Sequence, residues 1–474
     1  VEEIDELGIF WLAGHEEDSL TGRLRFDPEK GASVSLVGIF DHGAGAETGE
    51  TTRINGWIGS KRVTLERCFL RKSNRGSTGL QRCEYHVNQI FLGHHLVEGD
   101  LWFQTATAEW GDLDAWVGQK RSIEPSVLEG PGAKFQFTYD PPEDQEARFS
   151  RGRIILGTAW SREVEQIKGI TFSHWPRLRI TYDERQGFDK IRKDVGRVQS
   201  LLSLCMDAHA IQDRLTLQRP DVRARLLSGE DAGCEEEIEL LVPWLRYTKP
   251  ADRKARHPHQ MVLTFEGLGG IESVARWLDV SERFQEPLDS LMSVQRAEKI
   301  FAENRFLNVT FASEAFHRIM YGGTQMDQED FDSLYRTIVA SVPEQHRPWV
   351  KDKFQYANEM TLRKRMRQLA AKSGAATRLI TGNIDQWAFA VSQVRNGLTH
   401  LGPVPRRFQG RDLRALSDSV YAVTRACMLI ECGVRQEDLA KWAASYSASW
   451  LVESVKTAIH RVREGRPDEL GGGD

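Results

Sequence analysis

Arg395 and His400 stand five positions apart in the run Val394-Arg395-Asn396-Gly397-Leu398-Thr399-His400. Five residues on a helix is a rotation of ~500°, which leaves the two side chains ~140° apart on neighbouring faces. Asn396 and His400, four apart, share a face. If the helix loosens near Gly397, Arg and His can converge on one phosphate. An imidazole there moves the proton of a ribose 2′-hydroxyl or of the leaving oxygen. A permanently charged, forked guanidinium holds the scissile phosphate. The chemistry within reach of such a pair is RNA cleavage without a metal. The same spacing also arises by chance, and a His at a helix C-terminus is favoured by the macrodipole alone.

The elements that must position this pair are helical. Beyond about residue 292 no strand pattern remains, and the hydrophobic periodicity predicts helices at about 292–320, 328–341, 345–372, 377–399, 411–431 and 435–459. Gly402 and Pro403 close the motif helix, and Pro343, Gly374 and Gly382 punctuate the others. These are the marks of an all-α bundle. Residues 8 to about 183 read differently. Gly22-Arg23-Leu24-Arg25-Phe26, Lys134 to Tyr139 and Arg177 to Tyr182 alternate polar with apolar, and turn signals separate them. Many short strands without helices between them predict an antiparallel sandwich or barrel-like layer. From Phe188 to about Leu217 the period becomes helical, with Ile191, Val195, Val198, Leu202 and Cys205 on one stripe. Strands return at Ile238–Val242 and Met261–Phe265, and glycines then lead into Ile271–Leu278. The fold class expected is α+β and multidomain. A β-rich N-terminal half with some helices spans 1–290, and a helical bundle spans 291–474.

A chain of 474 residues has room for two to three domains. Its composition is 40% hydrophobic and 28% charged, and no apolar run approaches ~18 residues, so no transmembrane helix is expected. The opening Val1–Glu6 is acidic and has no apolar signal core, and the absence of an initiator Met suggests a trimmed start. Six scattered cysteines without a C-x-x-C pair read as reduced thiols of a cytoplasmic protein. The net charge of −5 hides an asymmetry. Residues 301–474 carry 24 Lys+Arg against 20 Asp+Glu, or +4, which leaves −9 for residues 1–300. Between 361 and 411 ten basic residues face one acid, Asp385. This island surrounds the Arg-His motif. Arg363, Lys364, Arg365, Arg367, Arg406 and Arg407 are its candidates for contact with an RNA backbone. A solvated helix face explains Arg363–Arg367 equally well.

Other constellations carry less. Gly267-Leu268-Gly269-Gly270 lies where a dinucleotide loop would, but Glu272 occupies the position of the next required glycine and would oppose a pyrophosphate. Cys205, Asp207 and His209 lack a second ligand cluster, and Cys205 fits the apolar stripe, so no metal is expected there. His94-His95 and His257-Pro258-His259 lack chelating geometry. Glu314 and His317 lie one turn apart on the first bundle helix, and a carboxylate facing a catalytic His could orient it. A solvated helix pair is the simpler account.

Three stretches of the helical half together resemble an ApeA-type HEPN domain. They are Val394 to His400, the upstream Tyr356 to Arg365 and Phe311 to Arg318. Gly8 to Gly14, with the run from Gly22-Arg23-Leu24 through Val37-Gly38-Ile39-Phe40, resembles the β-rich domain that precedes it in ApeA-type anti-phage proteins. The resemblance implies a bacterial cytoplasmic protein that cleaves RNA, with tRNA as the expected class, and halts the growth of a phage-infected cell. It places catalysis on Arg395 and His400, with Asn396 tuning or positioning them. It needs no cofactor and no membrane. It implies a homodimer through the HEPN domain. A constitutively active nuclease would kill its host, so residues 1 to about 290 are expected to sense and restrain, answering to a phage-derived protein trigger; a rigid scaffold that only holds the dimer geometry is the alternative. Glu314 lies outside the transferable motif. The alternative is a non-catalytic HEPN module that binds RNA or serves as a regulatory scaffold.

Overall fold

The computed structural model describes residues 3–40, 52–74, 80–97, 99–118, 123–128, 134–165, 169–226, 228–242, 256–297, 299–399 and 409–464. His400, Arg406 and Arg407 lie outside them, as do Gly402 and Pro403. The described chain divides into two compact units. One comprises 1–199 and 210–258, the other 200–209 and 259–474. The division falls near residue 258 rather than 290, because helices between 265 and 296 belong to the helical unit.

The first unit is built on antiparallel strands. β1 (Ile4–Leu12), β2 (Leu20–Asp27), β3 (Gly31–Val37), β4 (Thr52–Ile58), β5 (Lys61–Asn74) and β6 (Arg82–Leu92) run in the order β6-β3-β2-β1-β4-β5, and β5 also pairs with β6, which closes a six-stranded barrel. Period-two alternation builds it. Leu24 and Phe26 of β2 and Ala32, Val34 and Leu36 of β3 point into a core shared with Phe10, Ile54, Val63, Leu65 and Tyr85. The intervening Arg23 and Arg25 stay outside and bond the Asp5 carboxylate. Closure brings backbones together: a Cβ at Gly8 would lie 2.3 Å from the Trp57 carbonyl oxygen, and one at Gly56 2.7 Å from that of Ile9. A barrel rather than a sandwich is therefore the outcome of the two arrangements expected.

From β6 the sheet continues through Ile238–Leu241, Gln212–Gln218, Trp102–Trp110, Gly169–Gly187, Gly152–Glu165 and Gln145–Phe149. The helix Phe188–Met206 follows the longest of these strands, and the predicted stripe from Ile191 to Cys205 is buried throughout. Its end corrects the expectation that it runs to Leu217. Asp207 adopts a left-handed φ of 55°, and Leu215 and Leu217 then become buried positions of a strand. On this helix the buried Asp194 carboxylate accepts from Arg151 at 2.8 Å, Arg197 at 2.8 Å and the Tyr182 hydroxyl at 3.0 Å.

In the second unit the predicted strand Met261–Phe265 is absent. Met261, Val262 and Leu263 are buried, but the backbone N–H groups of Val262 and Leu263 both donate to the Cys205 carbonyl, and Thr264 caps the helix Phe265–Leu268. Gly270–Val280 and Gln285–Arg296 follow. The bundle proper is Ala302–Tyr321, Gln328–Ser341, Arg347–Phe354, Leu362–Ser373, Ile384–Thr399, Gly410–Glu431, Gln436–Ala443 and Tyr446–Glu464. Several predicted helices are thus split by local polar chemistry. The buried Asn358 binds Met326 through both its N–H and its carbonyl group and interrupts the expected helix 345–372. Gly382, at φ 58°, divides 377–399. Phe306, Phe316, Met366, Leu369, Trp387, Val391, Val420 and Val455 are among the core residues. The Ser313 and Thr424 hydroxyls bond at 2.6 Å between the helices Ala302–Tyr321 and Gly410–Glu431. All six cysteines are unpaired and five are buried.

Candidate functional site

The motif helix Ile384–Thr399 begins where the Asn383 side chain accepts the Gln386 N–H at 3.0 Å. Trp387, Val391 and Val394 recur at helical spacing and form its buried stripe. The Trp387 indole also donates to the Ser419 hydroxyl at 2.8 Å, which fixes the rotation of the helix. Arg395 follows directly on Val394 and emerges at the edge of the stripe, with its side chain 36% exposed. The helix runs through Gly397 without a break to Thr399, whose hydroxyl turns back onto the Arg395 and Asn396 carbonyls at 2.9 and 3.3 Å. The helix stays intact through Gly397, so convergence of Arg395 and His400 on one phosphate depends on the chain after Thr399, outside the described residues. His400 lies outside the described residues, one position beyond this turn. Asn396 is exposed.

Glu314, on the helix Ala302–Tyr321, faces two arginines from two other helices. Its Oε2 lies 3.9 Å from Nη2 of Arg395 and its Oε1 lies 3.9 Å from Nε of Arg365. Both separations exceed the ~2.7–2.9 Å of a charge-assisted hydrogen bond. The carboxylate therefore orients Arg395 electrostatically without occupying its donors. Glu314 does not face the imidazole of His317, although the two lie one turn apart. His317 is buried, its Nδ1 lies 3.4 Å from Nη1 of Arg365 and its Nε2 lies 2.6 Å from Oε1 of Gln368. Arginine can only donate, so Nδ1 is the acceptor and the proton sits on Nε2, toward Gln368. Burial pushes the His317 imidazole below its usual range; the Gln368 hydrogen bond opposes this, and the Arg365 charge adds to it. His317 is a neutral structural histidine.

Arg365 corrects an expectation. It was a candidate for contact with RNA, yet it is fully buried. Its Nε donates to the Met360 carbonyl at 3.0 Å and its Nη2 to the Gly323 carbonyl at 3.2 Å. A guanidinium committed to interior carbonyls cannot track a phosphate backbone. Its neighbours divide. Arg363 is exposed, with its guanidinium 5.3 Å from the centre of the Phe389 ring on the motif helix. Arg367 pairs with Asp385 at 2.6 Å, and both are more than half exposed. Lys364 is half-buried near the Thr361 cap of its helix. Arg363 and Arg367 thus lie along the motif helix. The role of Arg365 had a legible signal: it sits in the apolar row Leu362, Met366 and Leu369, where a surface cation has no place.

Among the described residues, no group of three His, Cys, Asp or Glu side chains is placed to hold a metal ion. Asp207, once a candidate ligand, pairs with Arg425.

The family model described as ApeA N-terminal domain 1 matches residues 5–277, more than half of the chain. The chain belongs to the ApeA-type HEPN proteins. The model described as Apea-like HEPN matches residues 307–438. In this ApeA-type protein the HEPN match holds Glu314, Arg365 and Arg395 together, and the N-terminal match covers the barrel and its extended sheet. No curated protein and no solved structure gave a match. No helix among the described residues is long and apolar enough to cross a membrane.

Proposed function

We propose that this HEPN-type defence protein is an endoribonuclease whose catalytic pair is Arg395 and His400. The observation that carries the reading is Glu314 set between Arg365 and Arg395. One arginine is buried and bound to carbonyls. The other is half-exposed, oriented by the same carboxylate and left with donors for a phosphate. Arg395 holds the scissile phosphate and offsets the charge that builds on its oxygens. His400 takes the proton of the ribose 2′-hydroxyl as its oxygen attacks phosphorus, or returns one to the departing 5′-oxygen. The bond from phosphorus to the 5′-oxygen breaks, leaving 2′,3′-cyclic phosphate and 5′-hydroxyl ends. Asn396, exposed one residue on, contacts or positions the substrate. The RNA supplies its own nucleophile, so the reaction runs without a metal.

A tRNA is the proposed substrate and abortive infection the proposed outcome. Arg363 and Arg367 beside the motif helix, with Arg406 and Arg407, supply the positive surface for the backbone. Self-association through the helical unit is part of the proposal and is supported by the HEPN match. The β-rich unit, in the more acidic part of the chain, is proposed as the sensor that answers to a phage-derived trigger. The test is incubation of wild type and His400→Ala with total bacterial tRNA in EDTA, followed by mapping of the ends. Wild type is expected to yield cyclic phosphate and 5′-hydroxyl ends, and His400→Ala no product. Cleavage that requires added magnesium, or equal cleavage by the variant, would overturn the reading.

A further inference from the structure

The β-rich unit carries an arm. Its strands Gly152–Glu165 and Gly169–Gly187 pair with their sheet neighbours only as far as Leu156 and from Leu178 onward. Between those points, Gly157 to Glu165 and Gly169 to Arg177 make nine cross-strand pairs with each other and, among the described residues, none with a third strand. A two-stranded ribbon is marginal in water unless a face of it packs on something. Tyr139, from the hairpin Ile123–Leu128 and Lys134–Tyr139, covers part of one face, with its ring centre 4.6 Å from that of Phe172 and 5.5 Å from that of His174.

Opposite residues of an antiparallel pair share a face. Trp160 with His174, Arg162 with Phe172 and Val164 with Ile170 therefore line one face, and Ser161 with Ser173 and Glu163 with Thr171 the other. The first face is apolar and open. Trp160 is 60% exposed, Val164 52% and Ile170 71%, and Trp160 stacks on Phe172 with ring centres 6.0 Å apart. Contiguous exposed apolar residues mark an interaction surface. Arg162 stands exposed among them and, among the described residues, pairs with no carboxylate. Its neighbour Glu163 belongs to the opposite face. This charge selects the occupant. A second copy meeting the face across a two-fold axis would set Arg162 against its own twin. A phosphate backbone is held by several cations, and the face has one. A bilayer cannot satisfy the open edges of a ribbon, whereas a peptide can. What fits is a peptide with apolar side chains around a carboxylate.

We propose that this arm docks an acidic peptide segment of a partner protein, with apolar side chains against Trp160, Val164 and Ile170 and a carboxylate on Arg162. The arm gives the sensing role proposed for the β-rich unit a surface, and it lies outside the HEPN match, so it serves whether or not the chain cleaves RNA. Selection of a random library of short displayed peptides on the full chain tests it. Selected peptides are expected to combine apolar residues with aspartate or glutamate, and to bind with a Kd of about 1–100 μM in fluorescence polarisation. Trp160→Ser and Ile170→Ser, both at exposed positions, should keep the thermal melt and weaken binding at least about tenfold. Arg162→Glu should reject these peptides and accept versions with lysine in place of the acid. Arg395→Ala should bind them as wild type does. The proposal is overturned if the library yields no binder, if the selected peptides show no excess of acid, or if Trp160→Ser and Arg162→Glu bind them like wild type. Sedimentation in which Trp160→Ser dissociates a wild-type assembly would assign the face to a second copy, and flotation with phosphatidylserine vesicles that the same variant abolishes would assign it to a membrane; either result overturns the peptide site.

Discussion

Each unit of this protein sets a carboxylate between two arginines, and the two arrangements differ in closure. In the β-rich unit Asp194 is fully buried, accepts from Arg151 and Arg197 at 2.8 Å, and takes a third hydrogen bond from Tyr182. Burial and the neighbouring carboxylate push the Tyr182 phenol up, so it remains a donor. The Asp194 carboxylate is fully committed to these three donors. In the helical unit Glu314 keeps 24% of its side-chain surface, stands 3.9 Å from each arginine, and one of those arginines opens to solvent. A saturated ion cluster holds elements together. An unsaturated one, backed by a buried partner, keeps a charge in place for something else.

The largest effect expected from this difference is on stability. Asp194→Ala leaves Arg151 and Arg197 without their shared buried carboxylate and should cost about 3–5 kcal/mol. A denaturant melt should show it as a lowered midpoint or as loss of soluble protein. Glu314→Gln should behave in the opposite way. The melt should move less than in Asp194→Ala, because Glu314 keeps 24% of its side-chain surface and the buried Arg365 retains its bonds to the Met360 and Gly323 carbonyls, while RNA cleavage falls about tenfold through misorientation of Arg395. If Glu314→Gln unfolds the protein as Asp194→Ala does, the two clusters are alike and the comparison fails. The smallest effect is a pH dependence. The His317 imidazole has a folded-state pKa below its unfolded value, so the unfolded chain binds the extra proton first. Stability should fall as the pH drops below about 6.5, and His317→Asn should flatten that part of the stability profile. An unchanged slope in the variant would remove His317 from the account. Arg365, Gln368, the Gly322 backbone and the Tyr321 ring face it.

How much of this was legible in the sequence follows the physics of each signal. Period-two alternation in Gly22–Phe26 and the apolar stripe from Ile191 to Cys205 are carried by residues of one face, and both elements form as expected. Barrel closure rests on the pairing of β5 with β6, a long-range hydrogen-bonding choice that no local pattern records. Met261-Val262-Leu263 shows the limit of apolar runs: burial is legible, but its backbone partner, the Cys205 carbonyl, is not. At the site, the motif marks Arg395 and Asn396. Glu314 stands out in sequence only for its position relative to a histidine, whereas its partners are arginines from two other helices. The charge of Arg365 points to the surface, although the apolar row around it marks it as interior.

The proposed role of Arg395 serves a substrate and not the fold, and tRNA cleavage rate and thermal melt recorded on the same preparations of wild type and Arg395→Ala separate the two. A melt within about 0.5 kcal/mol of wild type and a cleavage rate lower by about 10²–10³-fold are expected. Cleavage at the wild-type rate by a folded Arg395→Ala protein would contradict that role.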